Sequence, residues 1–214
     1  MVTPLKEAFK RMNFPDVIGA VLAGGRSSRL GHDKALLRLK GSASVDLLGD
    51  TAALLHSVTG SVFIVGRERR PDFASVSDLI PGFGPVGGIA TALHEARGAA
   101  CFILSCDLPF MDRGTLQRLL ALRETRPANT LMTAYQQIET GHIESLVSIF
   151  EPEALPYFEA CLEQRLLKVI KTVPQENQYL IPYSIKNALP FFNINYPADL
   201  EKAKQLLAHG TVPA

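Results

Sequence analysis

The chain has 214 residues, 47% hydrophobic and 20% charged, with a formal net charge of +1. A near-neutral balance without a polybasic run excludes a broad nucleic-acid surface, and no apolar run approaches membrane-spanning length. Size and composition fit one soluble domain with a sizeable core, so any anion site has to be local.

The N-terminus, MVTPLKEAFKRMNFPD, lacks the apolar core of a signal peptide. Residues 1–15 read as an extension ahead of a single domain. DVIGAVLAGG reads as a strand that ends in a glycine loop, and ASVDLLGDTAALLHSV as a helix weakened by Gly49. SVFIVG and FASVSDLI read as the next strands. PGFGPVGG is a second glycine-rich loop, continued by GGIATALHEARG as a helix. AACFILSCD is a strand apolar throughout, as expected for one covered on both faces. RGTLQRLLALRET follows as a helix.

Beyond about residue 130 the pattern loosens. NTLMTAY and SLVSIF read as strands, and EPEALPYFEACLEQRLLKVI as one helix with Pro152 in its first turn. YPADLEKAKQLLAH closes the chain as a helix between Pro197 and Gly210. Strands separated by helices predict βαβ units and a mostly parallel α/β sheet with helices on both faces. Cys101, Cys106 and Cys161 form no C-x-x-C pair and read as reduced thiols, which with the missing signal peptide predicts a cytoplasmic location.

Open α/β sheets bind ligands at the carboxyl ends of their strands, where the loop after the first strand lies. Gly24 and Gly25 let the backbone approach a ligand and expose its N–H groups, while Arg26, Arg29 and Lys34 supply cations. The combination suits a polyphosphate. Two common phosphate loops fail by spacing. Arg29 and Leu30 stand where a P-loop needs its second glycine, and Arg26 stands where a dinucleotide fingerprint needs one.

LAGGRSSRLGHDK resembles the signature L-A-G-G-x-S-x-R-[ML]-G-x-D-K of the molybdenum cofactor guanylyltransferases. DLIPGFGPVGGI resembles their second motif, SCDLPF their metal-binding motif and NINYPADL their closing motif, in the same order. The resemblance implies a three-layer nucleotidyltransferase fold with a Rossmann-like sheet. It also implies transfer of GMP from GTP to the phosphate of molybdopterin with Mg2+, releasing pyrophosphate. Family members hand their product to molybdenum enzymes or their chaperones, which implies a transient protein partner.

Two anions meet in this reaction, so catalysis is chiefly charge neutralisation and alignment. Arg29 and Lys34 are the candidates for the triphosphate and the departing pyrophosphate. The resemblance implies that Leu22, Ala23, Gly24 and Gly25 present main-chain groups to the nucleotide. Asp107, leaving the sheet ahead of Leu108-Pro109, is the candidate for nucleotide and Mg2+. A cap or turn aspartate is the structural alternative there, as an exposed helix face is for Lys34. The resemblance implies that Asp78 meets guanine, whose N1–H and 2-amino group a carboxylate can accept; capping of the next turn is the alternative. Gly82 belongs to the closely approachable wall of the second loop. Asn193 and Asn195 alternate, so both face one side, on the acceptor side by resemblance or as local turn shapers.

Three segments depart from the family. KGSASVDLL lacks a Gly-x-Pro, and Gly66-Arg67 stands where a polar residue such as asparagine is expected. In TGHIESLVSIF the Pro-Leu pair expected after a histidine or glutamate is interrupted; His142 reads as an ordinary surface histidine. These departures bear on the acceptor more than on the triphosphate. A cytidylyltransferase of the same pterin is the nearest rival, disfavoured by Gly24 and Asp33. Sugar-phosphate nucleotidyltransferases lie further off, because Ser27-Ser28 replaces their Gly-Thr. A non-catalytic nucleotide-binding homologue is the rival of another class.

Overall fold

The computed structural model describes residues 16–24, 33–39, 46–67 and 72–208. Seven strands form one sheet: β1 (Val17–Leu22), β2 (Val62–Val65), β3 (Ala74–Val76), β4 (Ala100–Ser105), β5 (Met132–Gln137), β6 (Ile143–Phe150) and β7 (Gln178–Tyr183). Their spatial order is β3-β2-β1-β4-β6-β5-β7. All pairings are parallel except those of β6 with β4 and with β5. The expected mostly parallel sheet therefore forms, with one reversed strand. That reversal brings the amino end of β6 to the edge where its neighbours end: Leu104 pairs with Val147, while Cys101 pairs with Phe150.

Helices α1 (Leu47–Thr59) and α3 (Arg113–Arg123) cover one face, packing Leu48, Leu55, Leu116 and Leu119 on Val21, Ile64, Phe102 and Leu104. Helices α2 (Gly84–Glu95) and α4 (Leu155–Glu163) cover the other, with Ile89, Leu93 and Phe158 on Ala20, Cys101, Ile103 and Phe150. β4 lies between the two layers and is buried along its whole length, which explains its uniformly apolar sequence. Helix α5 (Pro197–Ala208) closes a smaller cluster of Leu47, Phe110, Ile194 and Ala203. No described helix is long and apolar enough to cross a membrane.

Local chemistry starts the helices. The Asp46 carboxylate accepts from the Gly49 N–H at 2.9 Å and caps α1, so Gly49 lies in a first turn that the cap supports. Asp112 does the same for α3 through the Thr115 N–H at 2.8 Å.

Two expectations are corrected and one strand is new. The helix read over 151–170 is a 3₁₀ turn, Pro152–Ala154, followed by α4, which stops at Glu163. Phe158, Cys161 and Leu162 form its buried stripe, and the next position on that stripe is Arg165, which cannot be buried there. Arg165 instead turns the chain with a positive φ of 56°. The strand read in FASVSDLI is only Ala74–Val76, because the chain leaves the sheet to carry Asp78 towards the first glycine loop. β7 carries no clear sequence signal: Pro182 interrupts it, which an edge strand tolerates. Residues 1–15, the glycine-loop residues 25–32 and residues 40–45 lie outside the described residues.

Candidate active site

β1 and β4 are neighbours in the sheet, and β2 and β3 extend from β1 on its other side. The crevice beyond the ends of β1 and β4 is thus a switch point, where open sheets bind ligands. Three residues far apart in sequence meet there. Lys34 opens a 3₁₀ turn, Lys34–Leu36, whose cap Asp33 accepts from the Ala35 N–H at 3.1 Å. The Lys34 Nζ donates to Asp107 Oδ2 at 2.6 Å and to Asn195 Oδ1 at 3.3 Å. Ser105 Oγ donates to Asp107 Oδ1 at 2.6 Å. Asp107 is only 7% exposed.

The surroundings of Lys34 and Asp107 differ from a solvated helix face and from a helix cap, although Asp107 does lie in a turn. Lys34 lies on a short turn aimed at a buried carboxylate, not on a solvated helix face. The described partners of the Asp107 carboxylate are side chains, so it caps no helix. Its main-chain oxygen instead accepts from the Ile194 N–H at 3.0 Å, fastening the segment 193–195 to the end of β4. Ile194 is fully buried while Asn193 and Asn195 on either side are exposed, so the two asparagines share a face as their alternation predicts. Only Asn195 reaches Lys34; Asn193 Nδ2 donates to the Phe191 carbonyl at 3.5 Å.

The first loop is tight. Gly66 has φ +84°, and a Cβ there would lie 2.7 Å from Gly24 Cα. A Cβ on Gly24 would lie 3.1 Å from Asp78 Oδ2. Gly66, read as a departure from an expected asparagine, is therefore required by backbone contact. Asp78 is half-buried, burial raises its pKa, and no described residue donates to its carboxylate. An acceptor held without a donor beside a glycine loop is suited to a ligand's N–H groups. Gly82, in the second loop, is exposed with φ +92°.

The main chain of Ala23 is engaged within the protein: its N–H donates to the Val65 carbonyl and its carbonyl accepts from Arg67 Nε, both at 3.0 Å. Leu22 ends β1 in register with Val65 and Ser105. Gly25, Arg26 and Arg29 lie outside the described residues.

Two functional candidates escaped the sequence. Arg67 grips Asp33 with both terminal guanidinium nitrogens while its Nε holds the Ala23 carbonyl. The hydrogen bond from Arg67 holds the Asp33 carboxyl below its ordinary range. The signal for Arg67 was the departure at Gly66-Arg67. The second candidate is Glu144, only 8% exposed, whose Oε1 accepts from the Tyr183 hydroxyl and whose Oε2 lies 3.7 Å from His142 Nε2. Burial raises the Glu144 pKa, against the opposing effects of Tyr183 and His142. Glu144 lines a cavity of about 540 Å³ together with Gln137, Tyr183, Phe191 and Asn193. His142 is exposed, as read from the sequence, and edges the same cavity. Cys106, next to Asp107, is buried with its thiol pushed up to about 12 by burial, so it is inert.

An open sheet with a lysine paired at its switch point to an aspartate after β4 is an arrangement suited to a nucleotidyltransferase. The sequence matches the MobA-like NTP transferase domain over residues 19–178, and the chain belongs to that family. It is 31% identical over 197 residues to a probable molybdenum cofactor guanylyltransferase of Carboxydothermus hydrogenoformans, covering 88% of this chain and 95% of that one. It is 39% identical over 109 residues to the molybdenum cofactor guanylyltransferase of Xanthomonas euvesicatoria, covering 50% of this chain and 56% of that one. The crystal structure of molybdopterin-guanine dinucleotide biosynthesis protein A from Archaeoglobus fulgidus shares the fold, with TM-score 0.70 and 23% identity over 89% of this chain and 98% of that one.

Nucleotidyltransferases work with a divalent metal. Among the described residues no group of three or more His, Cys, Asp or Glu is placed to hold one by protein alone. Asp107 offers a single carboxylate at the switch point, which suits an ion shared with a triphosphate.

Proposed function

We propose that this chain transfers GMP from GTP to the phosphate of molybdopterin, using Mg2+ and releasing pyrophosphate. An oxygen of the acceptor phosphate attacks the α-phosphorus; a P–O bond forms there as the bond to pyrophosphate breaks. The observation that carries the reading is the Lys34–Asp107 pair, 2.6 Å across the switch point and flanked by Asn195.

Asp107 would hold Mg2+, an ion that takes one or two carboxylates and completes its shell with phosphate oxygens and water. Bound there, it offsets charge on the triphosphate. Ser105 keeps the carboxylate oriented from behind. Lys34, together with Arg29, neutralises the phosphates and the departing pyrophosphate. Leu22, Gly24 and Gly25 would supply the backbone cradle, with Ala23 fixed beside them by its bonds to Val65 and Arg67 and Gly82 walling the nucleotide from the second loop. Asp78 accepts N1–H and the 2-amino group of guanine. Asn195, and Asn193 beyond it, face the incoming acceptor. Molybdenum enzymes or their chaperones would take the product by transient contact, in the cytoplasm.

Melting curves with Mg2+ and each of the four nucleoside triphosphates test the reading. GTP should stabilise the protein most. A ligand that binds only the folded state adds about 2.7 kcal/mol at one hundred times its dissociation constant. Equal stabilisation by CTP would overturn the guanylyl assignment in favour of cytidylyl transfer.

A further inference from the structure

We infer that the cavity around Glu144 receives the 2-amino-4-oxopyrimidine edge of the pterin acceptor, with Glu144 accepting from its N3–H and 2-amino group. The inference rests on the proposed guanylyl transfer and adds where the acceptor's ring lies and what recognises it.

Because β6 runs against its neighbours, Glu144 near its amino end stands at the same sheet edge as Asp107, on the strand adjoining β4. The segment 193–195 links the two places: Asn195 bonds Lys34 in the centre, and Asn193 lines the cavity. Two residues of extended chain span about 7 Å, so a ring seated at Glu144 sends its phosphate arm along the asparagines towards the transfer centre. The nucleotide side, Asp78 with Gly24 and Gly66, lies beyond β1 in the opposite direction.

A carboxylate accepts at about four lone-pair positions. Glu144 is almost fully buried, yet Tyr183 is its one described hydrogen-bond donor. His142 lies too far from Oε2 for a hydrogen bond and is exposed. Oε2 accepts no described hydrogen bond and is not sealed off from the cavity, so a ligand offering two parallel N–H donors can pair with the carboxylate there. Aromatic side chains complete the site: Phe191 lies 4.4 Å from Tyr183, ring centre to ring centre, and both line the cavity. Flat heteroaromatic rings pack well on such surfaces. Exposed Lys186 and Lys202 add positive charge at the mouth, suited to an anionic acceptor.

A larger cavity of about 950 Å³ beside α3 and β7 lacks such a group. Its carboxylate, Asp112, already accepts from the Thr115 N–H and hydroxyl, both at 2.8 Å.

Guanine carries the same donor pair, so the test must separate the two sources. Three probes are titrated into the protein: 6-hydroxymethylpterin; its 2,4-dioxo analogue, in which a carbonyl replaces the 2-amino group; and GMP. Wild-type protein saturated with GTP and Mg2+ should bind the pterin at least about tenfold more tightly than the dioxo analogue, the scale of a lost charge-assisted hydrogen bond. Glu144→Gln keeps an oxygen for Tyr183 but replaces an acceptor with a donor. It should weaken pterin binding about tenfold or more while leaving the melting shift with GTP unchanged. Equal binding of pterin and dioxo analogue overturns the inference, and that comparison needs no variant. Loss of the GTP shift in Glu144→Gln, with GMP displacing the pterin, overturns it by making the cavity the guanine site. Failure of the parent reading looks different: GTP then fails to stabilise the wild type above the other triphosphates.

Discussion

At the scale of single residues, Arg67 is tied to Lys34 through Asp33 without touching it. Asp33 caps the 3₁₀ turn that presents Lys34, and Arg67 clamps Asp33 to the main chain of Ala23. Arg67→Met should therefore act on geometry. We expect a turnover loss of about tenfold, the scale of one charge-assisted hydrogen bond in a partly exposed site, with a GTP dissociation constant changed less than about threefold. Lys34→Ala in the same assay should lose both binding and turnover. If Arg67→Met weakens GTP as much as Lys34→Ala does, Arg67 is itself a phosphate ligand. Lys34, Asp107 and Asn195 were legible in the sequence because motifs carry them. Arg67 showed only as a departure, because its role depends on a partner 34 positions away. Glu144 was read as part of an interrupted motif, and nothing local says that its face of β6 turns into a cavity.

At the scale of elements, one buried ion network joins the end of α3 to the ends of two strands. Arg123, 3% exposed along its side chain, donates to both oxygens of Glu151 at 2.8 and 2.7 Å and to Asp16 at 2.8 Å. Arg126 adds to Glu151 at 3.0 Å. Burial opposes the Arg123 charge, yet the paired carboxylates raise its pKa. Removing Arg123 leaves the buried Glu151 carboxylate with Arg126 alone, so Arg123→Met should cost about 3 kcal/mol. For a chain of this size that is roughly 10 °C of melting temperature. Lys204→Ala, which breaks an exposed pair with Glu201, should cost under about 0.5 kcal/mol. Similar losses for the two variants would show that the network contributes no more than a surface pair. Helices with a clean apolar stripe and a cap, α1 and α3, were legible from sequence. The run 151–170 was overread because Leu166, Leu167 and Ile170 extend its apolar composition past Arg165, yet all three are exposed. β7 was missed because a six-residue edge strand holding Pro182 has no periodicity to find.

At the scale of the whole molecule, the proposed reading sets two substrates on one edge of the sheet. The nucleotide would lie over β1, β2 and the loop after β3, and the acceptor over β6 and β7, with Lys34 and Asp107 between them. Order and direction of strands produce this, above all the reversal of β6, which the sequence does not announce. The proposed chemistry depends most on Asp107. Asp107→Asn keeps the shape and the contacts with Ser105 and Ile194 but removes the charge. The direct measurement is pyrophosphate release from GTP with molybdopterin and Mg2+, made on wild type and variant after both melt alike. The account predicts GTP-dependent release by the wild type and a fall of about a hundredfold or more in Asp107→Asn, on the order of 3 kcal/mol in the barrier. A well-folded Asp107→Asn with near-normal release would contradict it and move the catalytic centre away from the end of β4.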